Sequence, residues 1–150
     1  MEEIWKPIKG FEDYYEVSNY GKIKSKDRII YDKNFSKNKK QFLRKRTFKG
    51  KELKLIPVCD SGHLAVNFYK NGRSNGSKLI HRIVAEHFIP NPNNQPIVDH
   101  IDGNPKNNLV SNLRWSNYFV NNSNTPYVRY LQEILNNNGI TYKKQEEYYE

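Results

Sequence analysis

An α+β protein, elongated and assembled from small modules with antiparallel hairpins, is predicted by three features of this 150-residue sequence. Short runs rich in β-branched and aromatic residues are closed by turn signals such as Asn71-Gly72, Asn75-Gly76, Asp102-Gly103 and Asn104-Pro105. Helical periodicity is confined to brief stretches. The hydrophobic fraction is 36% and the mean hydropathy −0.94, so a chain of single-domain length has only a modest core to bury.

Residues 1–30 are read as a first module and residues 31–52 as a basic linker. From Lys33 to Lys51 there is no acidic residue, and aromatics are interleaved with the cations. Such a block is either a solvated linker or a segment that neutralises phosphates, with Lys39, Lys40, Arg44, Lys45 and Arg46 as its contacts. An arm of this kind often orders only on binding, and the minor groove of DNA is one place it fits. Residues 53–77 follow as a hairpin region. Leu53 to Val58 and Leu64 to Tyr69 are expected to pair through Asp60-Ser61-Gly62. A ribbon of that size fits the major groove of DNA, which makes Asn67, Tyr69, Lys70 and Arg73 candidate contacts. Packing of the ribbon on the rest of the chain is the alternative.

Residues 78–124 carry the chemistry. A strand from Lys78 leads into a helix over His81 to Phe88, with Ile83, Val84 and Phe88 inward and Pro90 and Pro92 ending it. Pro96-Ile97-Val98 is a short strand that ends on Asp99-His100. Residues 101–112 form a structured loop, Leu113-Arg114-Trp115 return as a strand, and Ser116 caps a helix to Asn122. Residues 125–150 then add an amphipathic helix, with Pro126 near its start, Tyr127, Leu131, Ile134 and Leu135 on one stripe, and a polar tail.

The order Asp99, His100, Asn121 places a carboxylate, an imidazole and an amide where a hairpin and a helix converge on one divalent ion. Hard cations such as Mg²⁺ and Mn²⁺ take oxygen ligands and keep positions open for water and phosphate. An imidazole, with an ordinary pKa of about 6.5, accepts a proton from water near neutral pH. His81 and His87 stand six apart and Arg82 follows His81, which does not match the helix-borne zinc-protease pattern, so both are given structural roles. His63 sits beside a turn with no visible partner.

A formal net charge of +9 and a pI near 9.5 favour a polyanionic partner. No apolar run reaches the roughly 20 residues of a spanning helix, and Met1-Glu2-Glu3 opens no signal peptide, so no membrane role and a cytoplasmic location are expected. Cys59 is the only cysteine, which leaves neither an internal disulfide nor a four-cysteine structural zinc.

The run from Leu79 to Pro92, continuing through Val98-Asp99-His100-Ile101-Asp102-Gly103-Asn104 and Asn107-Asn108 to Asn112-Leu113-Arg114-Trp115, resembles the HNH homing endonucleases of phages and their introns. Residues 4–25, with Tyr15-Glu16-Val17-Ser18-Asn19-Tyr20-Gly21, resemble the small module that often precedes that nuclease core. The resemblance implies a ββα-metal core and metal-dependent hydrolysis of double-stranded DNA to 5′-phosphate and 3′-hydroxyl ends. It implies His100 as general base, Asp99 and Asn121 as metal ligands, Asn112 as the brace of the metal-site loop and orienter of the histidine, and Arg114 as a further DNA contact. Asn122 is the alternative to Asn121. One such core positions one phosphate, so a monomer that nicks one strand is expected, with dimerisation through the C-terminal stripe as the rival. A non-catalytic DNA-binding regulator that keeps the scaffold is the alternative function.

Overall fold

The computed structural model describes residues 2–35, 41–58, 61–117 and 126–139. Three short strands, β1 (Trp5–Pro7), β2 (Tyr15–Ser18) and β3 (Ile23–Ser25), form an antiparallel sheet in that order. β4 (Arg28–Phe35) and β5 (Gln41–Phe48) pair as a long hairpin, from Arg28 opposite Phe48 to Phe35 opposite Gln41. β6 (Ile56–Pro57), β7 (Leu64–Lys70) and β8 (Arg73–Leu79) make a third sheet and run directly into helix α1 (Ile80–Phe88). β9 (Ile97–His100) and β10 (Leu113–Ser116) form the last antiparallel pair, and α2 (Pro126–Asn137) follows.

The segment expected as a basic linker is therefore a two-stranded ribbon. Its two strands pair along their inner edges and leave their outer edges to solvent. Alternation puts Ile29, Tyr31 and Leu43 on one side, all more than half exposed, and Arg44 and Arg46 on the other. The guanidinium of Arg28 anchors the base, 5.2 Å over the Tyr14 ring and 4.9 Å over Phe48.

Within the third sheet, the expected partner strand at 53–58 shrinks to Ile56 and Pro57, while β8 begins earlier than expected, at Arg73. Asn75-Gly76 does not end a strand. It opens a bulge, since Asn67 faces Ser77 and Tyr69 faces Ser74, leaving two residues of β8 opposite Phe68. Gly76 sits at φ +80°, the left-handed conformation that lets the extra residue fit.

One core joins these pieces. Ile8, Phe11, Tyr15, Val17 and Ile23 of the N-terminal module pack with Val66 and Phe68 of β7, Ile80, Ile83, Val84 and Ala85 of α1, and Val98 and Leu113 of the last strand pair. Fully buried Phe68 stacks on Phe11 at 4.9 Å and lies at the same distance from Tyr15. The modules legible in sequence thus share their hydrophobic interior, because each alone has too few apolar residues to close one. At the end of α1, Lys6 donates from Nζ to the His87 carbonyl at 2.8 Å, placing a cation on the helix C-terminus. His87 is structural: its Nδ1–H donates to the Ile83 carbonyl at 2.7 Å, and its Nε2 accepts the Lys9 N–H at 3.0 Å.

Candidate active site

The β9–β10 pair sets Arg114 opposite Asp99 and Leu113 opposite His100. Because neighbours on a strand point to opposite faces, Asp99 and His100 diverge from one backbone position. Asp99 is buried, and its Oδ2 accepts from Nε and Nη2 of Arg114, each at 2.9 Å. Arg114, foreseen as a DNA contact, is thereby turned toward the carboxylate.

His100 is buried and touches Asn108, with Nε2 3.3 Å from Oδ1. The amide of Asn108 is turned by its other contact, Nδ2 donating to the Lys106 carbonyl at 3.2 Å. A carbonyl only accepts, so Oδ1 faces the histidine and Nε2 carries the proton. The lone pair is then on Nδ1. Asn112, to which sequence assigned the bracing and orienting roles, bonds the loop: its Oδ1 accepts the Asp102 N–H at 3.0 Å, and its Nδ2 donates to Asp102 Oδ1 and to the Asn107 carbonyl, both at 2.9 Å. Contact with the imidazole falls to Asn108, a residue not singled out in a loop crowded with asparagines.

Asp102 is the hub of that loop. It accepts from the Asn104 N–H and from the side chains of Asn107 and Asn112, which together hold its carboxyl down at about 2. The N-terminal module supports the same loop from behind. The Asn19 carbonyl accepts the Val110 N–H at 2.9 Å, and Gly21 lies so close that a Cβ there would stand 2.7 Å from the Cβ of Asn108. Asn19 is itself buried, bonded through its side chain to the Ile4 N–H and the Glu2 carbonyl.

Three histidines converge here, which sequence reasoning missed. His63, at the entry to β7, His81 on α1 and His100 offer ring nitrogens that all lie within 4.8 Å of one another. Burial first, then the neighbouring His63, His100 and Arg82 charges, push His81 down to about 3, and burial and His100 push His63 below its ordinary value. Nδ1 of His81 is buried and has no hydrogen-bond partner.

Among the candidate DNA contacts, Arg44, Lys45 and Arg46 are exposed on β5, and Asn67, Tyr69, Lys70 and Arg73 are exposed at the β7–β8 hairpin. Lys70 also donates to the Gly10 carbonyl at 3.0 Å. Val66 and Phe68 on the opposite face of β7 enter the core, so this ribbon packs on one side and is open on the other. Asn121 and Asn122, the helix expected after Ser116, Lys39, Lys40, Cys59 and the polar tail lie outside the described residues.

An Asp-His pair at the end of a two-stranded hairpin, closed by an Asn-braced loop and packed on a helix, defines the scaffold of an HNH-type nuclease. Known proteins agree. Residues 3–56 match the NUMOD4 motif and residues 78–122 match the HNH endonuclease family. DNA endonuclease I-HmuI of Bacillus phage SP01 is 33% identical over 120 residues, covering 80% of this chain and 56% of that one. An uncharacterized HNH endonuclease of Acanthamoeba polyphaga mimivirus, L245, is 40% identical over 99 residues, covering 57% of this chain and 30% of the relative. A solved structure of I-HmuI, described as DNA binding and cleavage by an HNH homing endonuclease, superposes with a TM-score of 0.55 at 30% identity, over 91% of this chain and 68% of that one. This chain belongs to the HNH homing endonuclease family. It spans a little over half of the first curated relative and under a third of the second. Nucleases of this family generally use a divalent metal ion. No helix among the described residues is long and apolar enough to cross a membrane.

Proposed function

We propose that this chain is a Mg²⁺- or Mn²⁺-dependent endonuclease that hydrolyses phosphodiesters of double-stranded DNA to 5′-phosphate and 3′-hydroxyl ends, nicking one strand as a monomer in the cytoplasm of the cell that expresses it. The observation that carries this reading is the end of β9, where buried Asp99 is held by Arg114 and buried His100 lies with Nε2 3.3 Å from Asn108 Oδ1, a contact that favours a lone pair on Nδ1. Asp99 and Asn121 are oxygen donors of the hard type that these ions prefer. When bound there, the ion supplies a Lewis acid that offsets charge on the scissile phosphate and the departing 3′ oxygen.

The protein's own groups do the rest. His100 takes the proton of the attacking water on Nδ1, and Asn108 holds the ring in the tautomer that can do so. Arg114 fixes the Asp99 carboxylate, and the Asp102–Asn107–Asn112 network fixes the loop that carries Asn108. Arg44, Lys45 and Arg46, with Lys39 and Lys40, neutralise phosphates, while Asn67, Tyr69, Lys70 and Arg73 face a groove. A supercoiled plasmid assay tests this reading. Nicking that stops in EDTA and falls at least about 10²-fold in His100→Ala is the expected result. Linear DNA appearing before open circles, with a dimer mass in solution, overturns the monomeric nickase, and cutting that persists in EDTA or in His100→Ala overturns the mechanism.

A further inference from the structure

We propose that His63, His81 and His100 form a second, inhibitory metal site, selective for a borderline cation such as Zn²⁺, whose occupation removes the general base. The donors are three imidazoles, the ligand type that suits Zn²⁺, Ni²⁺ and Cu²⁺ and that Mg²⁺ passes over for oxygen. Nitrogens within 4.8 Å of one another share a point no more than about 2.8 Å from each, against about 2.0–2.1 Å for a Zn–N bond, so an inward shift of about 0.8 Å at most closes the site. His63 is half-buried at the head of β7 and can supply that movement, while His81 is held on α1 inside the core. The buried, unpartnered Nδ1 of His81 is an independent pointer to a ligand, since such an atom rarely goes without a partner. Three imidazoles leave a fourth tetrahedral position for water.

Inhibition follows from the chemistry of one imidazole and rests on the catalytic role proposed for His100. A neutral ring has a single lone pair. Metal on Nδ1 takes that pair directly, and metal on Nε2 displaces the Asn108 bond and leaves Nδ1 as N–H. Either way no base remains. His63 and His81 stand outside the Asp99–Asn121 set, so the two sites differ in donors and in the ions they select.

The test separates binding from inhibition. Co²⁺, as a spectroscopic stand-in for Zn²⁺, is titrated into metal-free full-length protein, and its visible absorption is followed with Zn²⁺ as competitor. One equivalent should give tetrahedral-type bands that Zn²⁺ abolishes. Asp99→Ala should keep these bands, whereas His63→Ala and His81→Gln should weaken affinity at least about tenfold, since even outer-shell partners are worth 10–100-fold. His63→Ala guards against a folding defect in the more buried His81 variant. In plasmid nicking with excess Mg²⁺, Zn²⁺ should inhibit the unaltered protein, and half-inhibition in His63→Ala, scaled to its own Zn²⁺-free rate, should need at least about tenfold more. Bands that are absent, indifferent to His63→Ala, or abolished in Asp99→Ala refute the site. Bands with undiminished nicking refute the inhibition. A protein that binds Co²⁺ as expected but never cuts DNA refutes the nuclease reading and leaves the site standing.

Discussion

Replacing Gly21 by alanine should slow DNA cleavage although the residue lies in the N-terminal module. Gly21 sits at φ +78°, so any Cβ there costs about 1–2 kcal/mol for left-handed backbone alone. The Cβ would also stand 2.7 Å from the Asn108 Cβ and 2.9 Å from its carbonyl oxygen. Carbon atoms pack at about 3.5–4.0 Å, so Asn108 must retreat by roughly 0.8 Å or more. A shift of that size is enough to disturb its contact with His100, already at 3.3 Å, and with it the setting of the imidazole. Misplacement on this scale costs up to about 10²-fold in rate, and a fall of about 10- to 10²-fold is expected. Gly10→Ala is the matched control, with φ +82° and nothing within 4 Å of its Cβ, so it bears the backbone cost without the collision. Initial nicking rates are compared below both melting midpoints, with the folded fraction measured by thermal unfolding. Equal rates per folded molecule for the two variants would show that the turn at Gly21 does not position His100.

Three further outcomes are expected. Neutralising Arg44, Lys45 and Arg46 should weaken DNA binding and flatten the dependence of log affinity on log salt by roughly 0.9 for each phosphate the protein no longer neutralises, and an unchanged slope in a filter-binding titration would assign the β4–β5 ribbon another role. Phe68→Ala should destabilise the fold by about 3–5 kcal/mol, read by urea unfolding as one cooperative transition, because Phe68 lies in the core shared by the modules; two separate transitions would contradict the shared core. The Asp102 carboxyl, held at about 2 against 3.8 in the unfolded chain, contributes stability that is present above about pH 4 and lost as pH falls toward 2. Asp102→Asn should therefore show a shallower fall in unfolding free energy across that window, and an identical slope would remove the carboxyl from the loop's stability.

What sequence made legible was local. Pro96 to His100 reads as a strand because its apolar run ends at polar residues, and α1 reads as a helix because Ile83, Val84 and Phe88 recur at helical spacing between a strand and Pro90. The ribbon β4–β5 escaped because period-2 alternation signals a half-buried strand, and here the apolar residues Ile29, Tyr31 and Leu43 are exposed. Asn108 escaped because its role depends on which of several neighbouring amides the loop turns inward. The histidine cluster had no signal at all in spacing: His63 precedes β7, His81 lies on α1 and His100 ends β9, and the contacts of α1 with both strands bring them together.

The contact between the two halves of the chain is of two kinds, and they do different work. Apolar side chains from both halves supply adhesion, which is non-directional and tolerates small shifts. Register comes from a polar seam beside it: Ser18 and Asn19 are buried with their hydrogen bonds made, Asn19 reaches Val110, and Gly21 abuts Asn108, which touches His100. Buried polar groups are costly when unpaired, so a satisfied seam admits one arrangement and penalises its neighbours. An N-terminal module that served only to hold DNA would need the adhesion and not the seam. Because the seam ends on Asn108, the residue that touches His100, the module fixes the position of the candidate site as well as packing against it.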